Sequence, residues 1–156
     1  MKPFLRFAIV FFLLNSACSS KPAAPAMPPF DTTTSVKDLM ANLVDPTADI
    51  VWDSVGTIST PEGTFEKAPA TDDEWDDVKA GAITLVEIGN LLMLPARSGN
   101  NDEWILRAKD LITQSQRAIK AAEAHDKEGV FNIGADIYET CVNCHKRFDP
   151  AITSVK

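Results

Sequence analysis

Apolar residues recur every three or four positions along four stretches of the chain, as they do on one face of an amphipathic α-helix. The last stretch is the most regular, and its face consists of Val130, Gly134, Ile137, Cys141, Cys144 and Phe148. Two earlier stretches have similar spacing, with the faces Trp75, Val78, Ala82, Leu85, Gly89, Leu92 and Trp104, Ala108, Leu111, Ser115, Ala118, Ala122. In chain order, these three stretches predict helices B, C and D.

Helix A, the first of the four, is predicted over residues 35–56, with a serine as its N-cap. Its apolar face consists of Val36, Met40, Leu43, Thr47, Ile50 and Ser54. Pro46 lies inside this helix and has no backbone N–H, so we expect a kink or a break near Asp45. The segment that follows, Gly56 and residues 59–69, is predicted to form a long loop.

Capping and helix-breaking residues predict the ends of the other helices. Thr71 and Glu74 match the T-x-x-E capping box at the start of helix B, and Pro95 ends that helix. Helix C follows from about Asp102, and Asp149-Pro150 stops helix D. No stretch alternates between apolar and polar residues for long enough to predict a strand.

Four amphipathic helices predict an all-α protein. An antiparallel four-helix bundle is the simplest way to bury four apolar stripes against one another. We expect this fold for residues 35–150, followed by a C-terminal tail at 151–156.

The first residues are typical of an export signal. Lys2 and Arg6 precede the apolar run 7–14, which is too short to span a membrane, and small residues follow it. We therefore predict a signal peptide over residues 1–17 and a location in the periplasm.

Cys18 leaves two interpretations of the cleavage open. It resembles the lipid-modified cysteine of a lipoprotein, which would anchor the protein to a membrane. Ordinary signal cleavage is the alternative, because Asn15 stands where the lipoprotein pattern prefers an aliphatic residue. Residues 18–34 are rich in Pro and Ala and lack periodicity, so they are predicted to form an extended tether.

The chain is acidic, with 15 Lys and Arg against 22 Asp and Glu and a net charge of -7. Two of the basic residues lie in the predicted signal peptide, so the exported protein would be more acidic still. This charge argues against nucleic acid as a partner. It would favour a basic redox partner, or it would serve solubility alone.

Candidate chemistry lies in helix D, where Cys141, Cys144 and His145 form a C-x-x-C-H motif, the attachment signature of a c-type haem. The two thiols can form thioether bonds with the two vinyl groups of one porphyrin, and the imidazole can bind the iron as the proximal ligand. Because these residues are three and four apart, they project from one surface of the helix. We predict one covalently bound haem c.

This motif on the last of four helices resembles the class II c-type cytochromes, the cytochrome c prime group and its low-spin relatives. The resemblance covers residues 31–150 and implies a four-helix bundle with the haem near the C-terminal end of the last helix. It also implies homodimers through helices A and B. Phe148 matches the aromatic residue often found three positions after the histidine. Asp149, however, stands where the family usually has a basic residue, and Arg147 is the nearest alternative.

The resemblance further implies that a residue of helix A faces the other side of the iron, and Met40 occupies that place. Its thioether sulfur as a sixth ligand would raise the reduction potential and suit electron transfer. The alternatives are that Met40 only covers an open iron site, or that it is a packing residue. Met93, at the end of helix B, and His125, in the turn before helix D, are weaker ligand candidates.

Several other residues are candidates for positions beside the haem. Trp52, Trp75 and Trp104 either line the haem pocket or belong to the core, and Trp52 is the best placed for the pocket. Arg97 and Arg107 can pair with haem carboxylates, but the simplest interpretation places both at the solvated surface.

Two functions fit these features. The first is an exported monohaem cytochrome that carries single electrons between redox partner proteins. The second is a five-coordinate haem protein that binds a diatomic gas such as NO or CO behind an apolar wall containing Met40 and Leu43. We predict no enzyme, because no catalytic triad is evident and no distal histidine or arginine is placed for peroxide chemistry. A zinc site at the motif would need a fourth ligand, which no nearby residue supplies.

Overall fold

Helices form most of residues 29–153, the part of the chain that the computed structural model describes. All of the helices and strands given below lie within residues 36–153. The predicted signal peptide, Cys18 and most of the predicted tether lie outside the described residues, as do the last three residues of the tail.

In chain order the elements are α1 (Val36–Leu39), a π-helical turn (Met40–Val44), α2 (Asp45–Trp52), β1 (Gly56–Thr60), β2 (Gly63–Lys67), α3 (Asp72–Leu92), α4 (Pro95–Ser98), α5 (Asp102–Glu123), α6 (Lys127–Phe148) and α7 (Pro150–Thr153). The described protein is therefore all-α apart from one small hairpin. The predicted helices B, C and D correspond to α3, α5 and α6, and helix A corresponds to α1, the π-helical turn and α2. Within the described range, no helix has the length and apolar character needed to cross a membrane.

Helix A changes its winding just before Pro46. The backbone N–H of Asp45 donates to the carbonyl of Met40, five residues back, where an α-helix would use the residue four back. Pro46 has no N–H and cannot donate to the carbonyl of Asn42, so the regular hydrogen-bond ladder is interrupted at this point. The irregularity predicted near Asp45 is present as a π-helical turn.

This wider turn shifts the helical repeat by one residue, so the predicted apolar face of helix A is only partly correct beyond it. Ile50, predicted to lie in the core, is 45% exposed. The buried residues of this segment are Val44, Thr47, Ala48 and Val51. Of the predicted face, only Thr47 is fully buried.

Residues 56–67 form a β-hairpin, so the prediction of a loop without strands is wrong here. The two strands pair antiparallel, with Ile58 opposite Phe65 and Thr60 opposite Gly63. Threonine, isoleucine and phenylalanine favour extended backbone. Gly63 has a φ of 147°, a conformation that other residues rarely adopt. Ile58 and Phe65 are about half exposed, so the hairpin contributes little to the core.

The apolar faces of α3, α5 and α6 confirm the predicted periodicity. All six predicted positions of α3 are buried, and in α5 five are buried while Trp104 is half-buried. In α6 the first three positions are buried, whereas Cys141, Cys144 and Phe148 are half-buried. The apolar face of α6 is therefore no longer fully covered by protein from Cys141 onward.

Capping hydrogen bonds confirm the predicted start of helix B. Thr71 Oγ1 accepts from the N–H of Glu74 at 3.2 Å, and Glu74 Oε2 accepts from the N–H of Thr71 at 3.1 Å. The backbone N–H groups of Ala70 and Thr71 hold the pKa of the Glu74 carboxyl below its usual range. At the start of helix C, Asn101 Oδ1 accepts from the N–H of Trp104 at 3.1 Å.

The helices do not pack against one another equally. Helix α5 packs against both α3 and α6, and α2 packs against α3, but α2 and α6 meet only sparsely. A hydrogen bond joins these two, from Trp52 Nε1 to the carbonyl of Gly134 at 2.9 Å. A Cβ at position 134 would lie 3.2 Å from Cδ1 of Trp52, so glycine permits this close approach.

Candidate functional site

A cavity of about 720 Å³ lies between helix A, α5 and the C-terminal part of α6. Its walls come from residues 37–52, from Leu92 at the end of α3, from residues 104–111 near the start of α5, and from residues 138–146. Most of the lining is apolar, and its volume is within the range of about 300 to 1,000 Å³ that is typical of small-molecule and cofactor sites.

The C-x-x-C-H residues lie on the wall that α6 provides. Cys141, Cys144 and His145 all line the cavity, and all three are half-buried. The helical spacing of three and four residues places them on one surface, as expected from the sequence. They occupy the part of the apolar face of α6 that the other helices leave partly uncovered.

Met40 lies on the wall that helix A provides and lines the same cavity. It is half-buried and begins the π-helical turn. Turns of this kind recur at functional sites, where they change the direction of a side chain relative to a regular helix. The structure thus brings Met40 together with the two cysteines and the histidine of the motif.

The weaker ligand candidates do not line this cavity. Met93 packs against the hydrophobic core. His125 lies in the turn between α5 and α6 and stacks on Trp75, with the two ring centroids 5.1 Å apart. Neither side chain is among those that form the cavity walls in the described part of the chain.

Two of the three tryptophans line the cavity, namely Trp52 and Trp104. The third, Trp75, is buried against the turn that contains His125. Trp104 is held by a hydrogen bond from its Nε1 to the carbonyl of Leu92 at 2.8 Å. Its ring meets the ring of Phe148 edge to face, with centroids 5.0 Å apart. The indoles therefore give the cavity firmly placed aromatic walls.

Burial raises the pKa of both motif thiols. For Cys144, the nearby Cys141 raises the pKa further, while the positive charge of Arg107 opposes the rise. The thiols also lie near the C-terminal end of α6, where the helix dipole does not stabilise an anion. Redox-active C-x-x-C pairs have lowered thiol pKa values. The surroundings of this pair do not supply the lowered thiol pKa that is typical of thiol–disulfide exchange.

The motif residues also do not form a multidentate metal site. Among residues 29–153, no three His, Cys, Asp or Glu side chains are placed to hold a metal ion together. Structural zinc sites use four such ligands, and catalytic ones use three. The arrangement instead offers separate groups around a cavity.

The charged residues of the cavity are mainly cations. Lys37, Arg107 and Lys146 line it, against one lining carboxylate, that of Asp45. This excess of positive charge occurs in a chain whose net charge is -7. Sequence reasoning did not single out Lys37 or Lys146. Each is nevertheless close to a predicted ligand, because Lys37 lies about one helical turn before Met40 and Lys146 directly follows His145.

Arg97 and Arg107 are only partly solvated, so the predicted surface position is found in part. Both side chains are partly buried, and the Nε of each is buried without a hydrogen-bond partner among the described residues. They differ in position, because Arg107 lines the cavity and Arg97 does not. Arg97 donates from its Nη1 to the carbonyl of Leu91 at 3.2 Å.

Asp149 stands where the resembled family usually has a basic residue, and Arg147 is the nearest basic residue that could replace it. The side chain of Arg147 is directed toward α5. Its Nε donates to Glu103 Oε2 at 2.8 Å, and its guanidinium lies 5.5 Å from the ring centroid of Phe148. Its charge is thus paired with Glu103, and it is not one of the cavity-lining residues.

Comparisons of the chain with protein family models, with curated proteins and with solved structures gave no match.

Proposed function

We propose that this protein is an exported monohaem c-type cytochrome that carries single electrons. One observation carries the proposal: a single cavity is lined by Cys141, Cys144 and His145 from the last long helix and by Met40 from the first. These residues supply two thiols for covalent attachment, an imidazole and a thioether sulfur, which are the protein groups that a haem with His/Met ligation uses.

The cavity fits a haem in other respects as well. Its volume of about 720 Å³ and its mostly apolar walls suit a flat macrocycle. The raised pKa of both thiols and the lack of a three-residue metal cluster among residues 29–153 count against the two other common uses of paired cysteines, redox exchange and zinc binding.

We also propose that helix A, α3, α5 and α6 form an antiparallel four-helix bundle. Neighbouring helices of such a bundle run in opposite directions. One end of the bundle therefore contains the start of the first and third helices and the end of the second and fourth. The cavity is lined by Met40, Leu92, Trp104 and Cys144, which hold those four places in the sequence. This combination of lining residues supports the bundle.

Six of the lining residues have distinct roles in this proposal. When bound, haem supplies one iron that is oxidised and reduced by a single electron. His145 would hold the iron through its imidazole, and the Met40 sulfur would favour the reduced state and so raise the potential. Cys141 and Cys144 attach the macrocycle to α6. The aromatic walls that include Trp52 and Trp104 would shield part of the macrocycle from water.

The proposed location is the periplasm, with a membrane anchor if Cys18 is lipidated. This part of the proposal rests on the sequence of the first residues, which lie outside the described range. The acidic charge of the chain supports a basic redox partner protein. A homodimer through helix A and α3 is supported by Ile50 and Ile83, which are each 45% exposed on those helices.

A potentiometric titration tests the electron-carrier function. The protein is produced with a haem-attachment system, and the absorbance of the haem is followed as the solution potential is changed. We expect one wave that fits the transfer of a single electron and is fully reversible. A protein whose haem cannot be cycled between its oxidised and reduced states would not be an electron carrier.

A further inference from the structure

The guanidinium of Arg107 has hydrogen-bond capacity that the protein leaves largely unused. Its Nε is buried and has no partner among the described residues. Ion pairs join its Nη2 to Glu103 Oε1 at 3.8 Å and its Nη1 to Asp110 Oδ2 at 3.6 Å, and both distances are longer than a hydrogen bond. Glu103 also accepts from Arg147 at 2.8 Å, so this carboxylate is shared between two arginines.

A buried guanidinium donor without a partner is costly, and carboxylates are its best partners because they can accept two parallel hydrogen bonds. Arg107 lines the cavity, and its charge is close enough to Cys144 to oppose the rise in the pKa of that thiol. The guanidinium is therefore near the motif that would attach the cofactor. A carboxylate brought into the cavity by that cofactor would meet it.

The other charges of the cavity point to an anionic ligand. Lys37 and Lys146 line the cavity together with Arg107, and Asp45 is the one carboxylate among the described lining residues. Glu103 and Asp110 partly balance the charge of Arg107 but do not line the cavity, so cations still outnumber carboxylates among the lining residues. Haem carries two carboxylates on its edge, so its chemistry matches a cavity with more cations than anions.

We propose that Arg107 binds a carboxylate of the haem and keeps that carboxylate ionised, an inference that rests on the proposed function. Arg107 is then a positioning residue, because it fixes the edge of the macrocycle and does not touch the iron. Of the two arginines with a buried, unpartnered Nε, the structure assigns this role only to the one that lines the cavity.

The test compares the midpoint potential of the haem-loaded wild type, Arg107→Gln and Arg97→Gln as a function of pH. In the wild type the carboxylate stays ionised and the potential is nearly constant between about pH 5 and pH 8. In Arg107→Gln the haem carboxylate loses its neighbouring cation, so the pKa of this carboxylate rises into the same pH range. The midpoint potential then falls as the pH increases, because the negative charge formed on the carboxylate favours the oxidised iron. The other titratable lining residues, Lys37, Asp45, Tyr138, His145 and Lys146, are the same in all three proteins. So are the charged residues around Arg107, namely Glu103, Asp110 and Arg147.

Arg97→Gln should have the wild-type profile, since Arg97 does not line the cavity. An Arg107→Gln profile that is identical to that of the wild type overturns the proposal. If Arg107→Gln does not fold, a crystal structure of the haem-loaded wild type decides: a haem carboxylate within hydrogen-bond distance of the Arg107 guanidinium supports the proposal, and a carboxylate elsewhere overturns it. The proposed function itself fails if the wild-type protein carries no covalent haem, and this result is distinguishable from a failure of the Arg107 proposal.

Discussion

Replacing both Cys141 and Cys144 with serine is expected to abolish covalent haem attachment completely. The two thiols line the cavity and are the free cysteines of the described part of the chain. Serine has almost the same size but cannot form a thioether bond, so the change removes the chemistry and keeps the shape. Each single variant should retain one bond and therefore a haem that survives denaturation.

Haem staining after denaturing gel electrophoresis, together with the intact mass, measures this effect. Cys18→Ser is the matched control, because it removes the third cysteine of the chain and leaves the motif unchanged. It should keep the full haem content. If the double variant still carried covalent haem, the attachment role of the motif would be wrong.

The second large effect is expected from Met40→Leu, which removes the thioether sulfur but nearly preserves the side-chain volume. If the sulfur of Met40 is the sixth ligand, the iron of this variant becomes high-spin. Its reduction potential should fall by on the order of 0.1 V, a part of the roughly 0.8 V range over which axial ligands set haem potentials. The absorption spectrum and a potentiometric titration measure both changes.

Met93→Leu provides the control for this experiment. Met93 packs against the core but does not line the cavity in the described structure, so its replacement should leave the spin state and the potential unchanged. A low-spin spectrum that persists in Met40→Leu would show that Met40 is a packing residue, which the sequence leaves open as an alternative.

The helices that the sequence predicts correctly are those with an uninterrupted repeat. In α3, all six positions of the predicted face are buried, because no proline or change of winding separates Trp75 from Leu92. Helix A differs, since the π-helical turn before Pro46 shifts the repeat and leaves Ile50 exposed. The π-helical turn depends on which carbonyl accepts the hydrogen bond from each backbone N–H. The spacing of apolar residues does not show which carbonyl that is.

The spacing of apolar residues does not predict the hairpin at residues 56–67 either. Its strands are short, and only Ile58 and Phe65 interrupt the polar residues with large apolar side chains. The sequence therefore has too few alternations to distinguish a strand from a loop. The glycines at 56 and 63, which both have positive φ, and the intervening Pro61 are the local signals of a tight turn.

In the candidate site, too, positions that depend on residues close in sequence are predicted well, and positions that depend on the packing of distant helices are not. The C-x-x-C-H motif is local, so its placement on one surface of α6 follows from helical spacing alone. Met40 was predicted only through a family resemblance, because its approach to the motif depends on how distant helices pack. Arg107 is half-buried beside the cavity, and this position also depends on how α5 packs against helix A and α6, which residue spacing does not reveal.

The most direct test of the account is the visible absorption spectrum of the reduced, haem-loaded wild-type protein before and after the addition of carbon monoxide. With His145 and Met40 both bound to the iron, we predict sharp low-spin bands that carbon monoxide does not change. Broad high-spin bands that shift when the gas is added would contradict a six-coordinate electron carrier and would instead support a five-coordinate haem that binds diatomic gases.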